Sequence, residues 1–237
     1  MLYLEDQDGV YMTVKGIYFD FDGTLSDRFT SAYHMYRWII AEVSDLKPDD
    51  IAFEEIVQQC LYWDQYGHVN KSYVMNNLKE KYFPDLDVDK WCHLWYERFC
   101  EFQIPMKGSY GSLAKLKKKY RLGILSNGDS HFQRTKIHAL GFDEYVDNVI
   151  VCGDYGIQKP DPRIFKIAAE KMGLECNEIA FIGDTFYKDI SGAVKAGMKP
   201  VWMCVERAGM TDYPGIQIVH SFEEIENLFL SEENKIR

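Results

Sequence analysis

The chain has 237 residues, 46% of them hydrophobic, enough for the packed core of one α/β domain with an insertion or of two small domains. Its formal net charge of −10 opposes strong binding of a nucleic-acid polymer, and its one basic run, KLKKKYR at 115–121, falls on a helical pattern as a solvated face. No apolar stretch reaches membrane-spanning length, the N-terminus has acids where a signal peptide is basic and then apolar, and the six cysteines form no CxxC pair, so a cytoplasmic protein with buried thiols, without a disulfide framework or a zinc site, is expected.

In chain order, residues 1–15 read as an N-terminal extension, with Met12 close enough to the first strand to be an alternative start. IYFDFDGTLSD at 17–27 begins as a buried strand and ends in two acids. A strand places residues i and i+2 on one side, about 6 to 7 Å apart, so Asp20 and Asp22 can face one small site. Two such carboxylates are stable together if a cation lies between them, if one is protonated, or if both are solvated and only cap the next turn or helix.

After Asp27, apolar residues recur at three and four residues through Val43, predicting a long helix. Further helices are expected from about Asp50 to Tyr66, with Gly67 as the stop, over KSYVMNNLKEKY before Pro84, and over DKWCHLWYERFCEF before Pro105. Residues 28–105 therefore form a helical insertion. It holds four of the five tryptophans, Trp38, Trp63, Trp91 and Trp95, with Tyr62, Tyr66 and Tyr96 nearby. Aromatics at helical spacing are chiefly the bundle's own core, the other reading being a partly exposed wall for a flat group.

From Met106 the period changes. The apolar runs RLGILS, NVIVCG, EIAFIG and KPVWMCV alternate with helical segments GSLAKLKKKY, SHFQRTKIHAL, DPRIFKIAAEKM and YKDISGAVKA, and SFEE at 221–224 is a capping box opening a last helix to about Leu230. Strand–helix alternation predicts a parallel, Rossmann-like α/β sheet with helices on both faces, built from 16–27 and 106–237.

Ligands of such sheets bind at the carboxyl ends of the strands. Asp20 and Asp22 end the first strand, Ser126, Asn127 and Gly128 the next, Lys159 in QKPDP comes after the third, and GDTFYKD with Asp184 and Asp189 ends the fourth. Each segment alone is an ordinary turn or surface stretch; together they supply one hydroxyl, one cation and several carboxylates. Asp20, Asp184 and Asp189 offer hard oxygen ligands for Mg²⁺, Lys159 balances remaining negative charge, and Ser126 with backbone N–H groups near Asn127 can hold a phosphoryl oxygen.

DFDGTL at 20–25, SNG at 126–128, Lys159 in KPDP and GDTFYKD at 183–189, in this order, resemble the haloacid dehalogenase superfamily over nearly the whole chain. The resemblance implies that Asp20 is a nucleophile forming an aspartyl-phosphate, and that Asp22 is the acid for the leaving oxygen and later the base for water. It implies Mg²⁺ held by Asp20, the backbone carbonyl of Asp22 and Asp184, with Asp189 a ligand or a partner of one. Gly23 and Thr24 join Ser126 and Asn127 in the expected phosphate site, and the insertion at 28–105 corresponds to a small helical-bundle cap domain. Superfamily members that act on haloacids lack the second Asp, so Asp22 counts against dehalogenation; in the transport ATPases a Lys comes directly after the nucleophile, where this chain has Phe21. The expected activity is hydrolysis of a small phosphomonoester, a nucleoside monophosphate or a sugar phosphate, by a monomer or homodimer. A phosphomutase similar to β-phosphoglucomutase and a weakly active binding or regulatory relative are the alternatives.

Overall fold

A computed structural model describes residues 3–5, 11–205 and 212–231. The chain divides into two compact units, one of residues 1–26 and 105–237 and one of residues 27–104.

The first unit begins with strands β1 (Tyr3–Glu5) and β2 (Tyr11–Thr13), paired antiparallel, and continues into β3 (Gly16–Phe19). Of the stretch 1–15, residues 1–2 and 6–10 lie outside the described residues. Its end already belongs to the core: Val14 is fully buried and the Lys15 N–H donates to the Glu178 carbonyl at 2.8 Å.

The second unit contains helices α1 (Arg28–Val43), α2 (Ile51–Asp64), α3 (Lys71–Lys81) and α4 (Val88–Arg98), the last leading into a 3₁₀ turn over Phe99–Phe102. Asp27, Asn70 and Asp87 cap α1, α3 and α4 through their side chains, each accepting a backbone N–H of the first turn. Helix α2 stops at Asp64, two residues earlier than its periodicity predicts. Gln65 and Tyr66 turn left-handed, with φ of 46° and 57°, before Gly67. Trp63, Trp91 and Trp95 are buried in the bundle, as expected of its own core, whereas Tyr62, Tyr66 and Tyr96 are exposed.

A charged network crosses this unit's interior. Asp64 accepts from Arg28 Nη2 at 3.1 Å and from the Tyr36 hydroxyl at 2.9 Å, and it also pairs with Lys71. The Arg28 guanidinium lies 4.9 Å from the Phe99 ring centroid, and Lys71 Nζ 4.6 Å from that of Trp95. Burial works against the charge on Asp64, but Arg28 and then Lys71 outweigh it and hold the carboxyl below its usual value. An acid depressed in the folded state stabilises above its unfolded pKa, so this contribution is complete above about pH 4 and is lost as pH falls through the folded value. Asp64→Asn strands two buried cations, and we expect it to cost about 3 to 5 kcal/mol, read as a lower melting temperature in near-ultraviolet circular dichroism. A variant melting as the parent does would show that the cations find other partners.

The remaining elements complete the first unit: α5 (Ser109–Leu116), β4 (Arg121–Ser126), α6 (Ser130–Ala139), β5 (Asn148–Val151), α7 (Pro162–Met172), β6 (Ile179–Gly183), α8 (Ser191–Ala196), β7 (Lys199–Met203), β8 (Gln217–Val219) and α9 (Phe222–Leu230). The six strands β3–β8 form one parallel sheet in the order β5-β4-β3-β6-β7-β8. Side chains alternate along a strand, so Ile17 and Phe19 pack with α5, α6 and α9 through Leu113, Ile137 and Phe222, while Tyr18 packs on the other face with Ile164 and Phe165 of α7. Burial on both faces is why the strands read as unbroken apolar runs. The chain lays down β4 and β5 on one side of β3, then returns to place β6 on the other, and this reversal opens a crevice at the strand ends.

Two further features depart from the sequence reading. Strand β8 is an additional edge strand whose three residues carry too little pattern to be seen. The helix expected over YKDISGAVKA begins as a wide π-helical turn, Phe186–Ile190, because Asp189 turns inward and accepts the Thr185 N–H at 2.9 Å. The Ser221 side chain caps α9 as expected, accepting the Glu224 N–H, while Glu224 reaches back to the His220 N–H. Among the described residues no helix is long and apolar enough to cross a membrane.

Candidate active site

Strand register assembles the site. Phe19 stands opposite Ile124 of β4 and Ile182 of β6, so Asp20, the next residue, emerges level with the ends of both neighbours. Its backbone N–H donates to the Ile182 carbonyl at 2.8 Å, extending the ladder by one bond and fixing the direction of the side chain. Asp20 Oδ1 accepts from Lys159 Nζ at 2.7 Å, and the same ammonium lies 2.7 Å from Asp189 Oδ1. Lys159 is buried and is itself held through its backbone: its N–H donates to Asn127 Oδ1 at 2.8 Å, and its carbonyl accepts from Asn127 Nδ2 at 3.1 Å. The Asn127 side chain, expected near phosphate, thus positions Lys159.

Asp20, Asp184 and Asp189 each present an oxygen within 4.8 Å of the other two. With Lys159 that makes three acids to one base in a buried place, a residual charge of about −2 if all are ionised. Burial raises the Asp20 carboxyl to about 6, with Lys159 opposing and Asp189 adding to the rise. Burial and the charges of Asp189 and Asp20 drive Asp184 well above the carboxylate range. Burial also opposes the charge on Lys159, yet Asp189 and Asp20 keep its pKa above the usual lysine value. Asp184 Oδ1 is buried without a hydrogen-bond partner among the described residues. A hard divalent cation would satisfy that oxygen and cancel the excess charge, so the donor set fits Mg²⁺.

The DGT loop is tight. The Phe21 carbonyl accepts from the N–H groups of Thr24, Leu25 and Ser26, and the Gly23 N–H donates to the Ser26 carbonyl at 2.9 Å. Gly23 has φ of +89°, and a Cβ there would stand 2.5 Å from Asp184 Oδ2. The Thr24 hydroxyl is buried in the same loop without a partner among the described residues. Gly23→Ala is therefore expected to displace Asp184 and lower turnover by at least about a hundredfold, with weaker Mg²⁺ binding by calorimetry. Parental turnover and affinity would mean that the loop relaxes without moving Asp184.

Asp22 points elsewhere than the three-acid cluster. Its carboxylate is gripped by Lys136 Nζ at 2.7 and 2.5 Å and accepts from Gln133 Nε2 at 2.9 Å. Lys136 is buried, with Nζ 5.2 Å from the Phe21 ring centroid. The Gln133 amide nitrogen also lies 2.7 Å from Ser126 Oγ, tying the end of β4 to Asp22. Neither Gln133 nor Lys136 is expected from the sequence. The available signal is their spacing: they stand three apart on the face of α6 that buries Ile137, where polar residues need a partner. His131, on an exposed part of α6, takes no part in the cluster.

Comparison with known proteins decides the family. The sequence profile of the haloacid dehalogenase-like hydrolases matches residues 14–197. The chain belongs to that family. It is 30% identical over 198 residues to a glyceraldehyde 3-phosphate phosphatase of Pyrococcus abyssi, covering 80% of this chain and 81% of that one. To the pyrimidine 5′-nucleotidase YjjG of Escherichia coli it is 26% identical over 191 residues, covering 79% and 84%. In fold it resembles the magnesium-bound HAD-hydrolase YfnB of Bacillus subtilis, with a TM-score of 0.72 at 21% identity over 93% of this chain and 100% of that one. The Rossmann-like sheet expected from strand–helix alternation and the hydrolase family expected from the four strand-end motifs are both established.

Proposed function

We propose that this haloacid dehalogenase-like hydrolase is a Mg²⁺-dependent phosphatase of small phosphorylated metabolites, working through an aspartyl-phosphate on Asp20. The observation that carries this reading is the cluster itself: a buried carboxylate held at 2.7 Å by Lys159, beside two further acids, one with an unpartnered buried oxygen. The phosphatase and nucleotidase relatives support it, and they favour sugar- or triose-type phosphates and nucleoside monophosphates as substrate classes.

In the first step an Asp20 oxygen attacks phosphorus, forming an O–P bond as the bond to the leaving oxygen breaks. Asp22 gives that oxygen a proton. In the second step water attacks phosphorus, Asp22 takes the water's proton, and the O–P bond to Asp20 breaks to release phosphate. The ion pair with Lys136 leaves Asp22 ready for this second duty; the proton for the first must be taken up before or with the substrate. Lys159 keeps Asp20 oriented and offsets the repulsion between two anions. Bound at Asp20, Asp184 and the Asp22 carbonyl, Mg²⁺ would supply Lewis-acid polarisation of the phosphoryl oxygens, with Asp189 beside it. Ser126, Gly23 and Thr24 are the proposed phosphate contacts. Residues 28–105 are proposed as the substrate-selecting cap.

The test is phosphate release from a panel of phosphorylated metabolites with and without Mg²⁺, run in ¹⁸O-labelled water. The reading expects metal-dependent release with label in all the phosphate. Release unaffected by chelator would refute the metal role. Movement of phosphate to another position of a sugar, with little free phosphate, would establish the mutase instead.

A further inference from the structure

Asp22 lies in the loop after β3 rather than in the strand, so the ladder bond that aims Asp20 does not aim its side chain. What aims it comes from α6. Lys136 Nζ reaches both carboxylate oxygens, at 2.7 and 2.5 Å, and Gln133 Nε2 donates to Oδ2 at 2.9 Å. Standing three apart, the two residues share one face of the helix. The Lys136 side chain is 3% exposed and Gln133 4%, whereas the Asp22 side chain keeps 26%. The supports therefore stand behind the carboxylate, and its open side is left to a reacting oxygen.

Both supports are costly choices for a buried helix face. The Gln133 amide nitrogen also lies 2.7 Å from Ser126 Oγ and 2.7 Å from the Asn127 carbonyl. The Asp22 carboxylate and that carbonyl only accept, which turns the nitrogen toward them and leaves Gln133 Oε1 buried with no hydrogen-bond partner among the described residues. An apolar side chain would fill the space without that orphan. Lys136 buries an ammonium, held 5.2 Å from the Phe21 ring centroid and 5.1 Å from that of Phe132. Two polar burdens thus converge on one carboxylate, and it is the one whose proton transfers need a fixed place.

We propose that Gln133 and Lys136 are positioning residues for the acid–base work of Asp22: together they hold both its oxygens at a set place relative to Ser126, the proposed phosphate contact. Neither touches the reacting atoms. The inference rests on the phosphatase reading and deepens it.

The test compares two esters of similar size: 4-nitrophenyl phosphate, whose leaving group departs with little protonation, and benzyl phosphate, an alkyl ester whose leaving oxygen needs a proton. The readout is kcat/KM, which covers the steps up to departure of the leaving group. Lys136→Met keeps the aliphatic stem and removes the ammonium. Gln133→Met removes no charge and carries the test if Lys136→Met does not fold. Each is expected to lower kcat/KM for benzyl phosphate at least about tenfold and for 4-nitrophenyl phosphate no more than about threefold. In protein already carrying Asp22→Asn, followed in single turnovers with enzyme in excess, the same changes should slow benzyl phosphate by less than about twofold, because the carboxylate they place is gone. Equal losses on the two esters, or losses that add in full to that of Asp22→Asn, would make the pair a support of the fold alone and overturn the proposal. A parent protein that releases phosphate from neither ester nor any metabolite of the panel would instead refute the phosphatase reading, and this role with it.

Discussion

Asp20→Asn is expected to lower phosphate release by at least about four orders of magnitude, because it removes the attacking oxygen rather than one of several stabilising contacts. The protein should remain folded. Asp20 is an acid whose pKa is raised on folding to about 6, chiefly by burial, so in the metal-free protein the cost of ionising it builds up from about pH 4 and is complete above about 6. An amide there carries no such cost, and Lys159 keeps Asp189 as partner at 2.7 Å. The metal-free variant should therefore melt at or above the parent at pH 7. Turnover within tenfold of the parent, measured on protein of unchanged melting temperature, would remove Asp20 from the mechanism.

Lys159→Ala is expected to cost about two to three orders of magnitude in turnover, the size typical of losing one preorganised charged donor. It should also destabilise the metal-free protein, because Asp20 and Asp189 would then face each other and Asp184 without a counter-charge. The carboxyls of Asp20 and Asp184, already raised by burial, would lose a cation that opposes the rise, so the deficit should be greatest near neutral pH and shrink on acidification as protons replace the lost cation. Mg²⁺ should recover part of the stability and little of the rate. A loss below about tenfold, or 1.4 kcal/mol, would make Lys159 a bystander.

The strand-end chemistry is legible in the sequence because of how parallel strands are buried. β3, β4 and β6 are covered on both faces, so they read as apolar runs, and Asp20, Ser126 and Asp184 stand out where the runs stop. Lys159 is legible only as a member of that set. The residues that stay hidden depend on which way a helix faces. Gln133 and Lys136 lie mid-helix among other polar residues, and nothing local says that this face of α6 packs inward on Asp22. The π-helical turn at Phe186–Ile190 goes with a local bond of Asp189 to the Thr185 N–H and a tertiary one to Lys159, and no periodicity encodes the second. Similarly, α2 ends at Asp64 rather than Tyr66, where Asp64 is drawn into the Arg28–Lys71 network and the next two residues turn left-handed. The aromatic pattern foretells the buried Trp63, Trp91 and Trp95 as bundle core, but spacing alone does not separate them from Tyr62 and Tyr66, which stay exposed.

The central claim is the covalent step on Asp20, and it is tested most directly by trapping it. Asp22→Asn should still let an aryl phosphate, whose leaving group needs little protonation, transfer its phosphoryl group, while slowing the water that removes it. Acid quench during turnover, borohydride reduction of the acyl phosphate and peptide mass analysis should then find residue 20 converted to homoserine, in a Mg²⁺-dependent amount approaching one per active site. Continued turnover of that variant with residue 20 unmodified, or phosphate carried on any other side chain, would contradict the account.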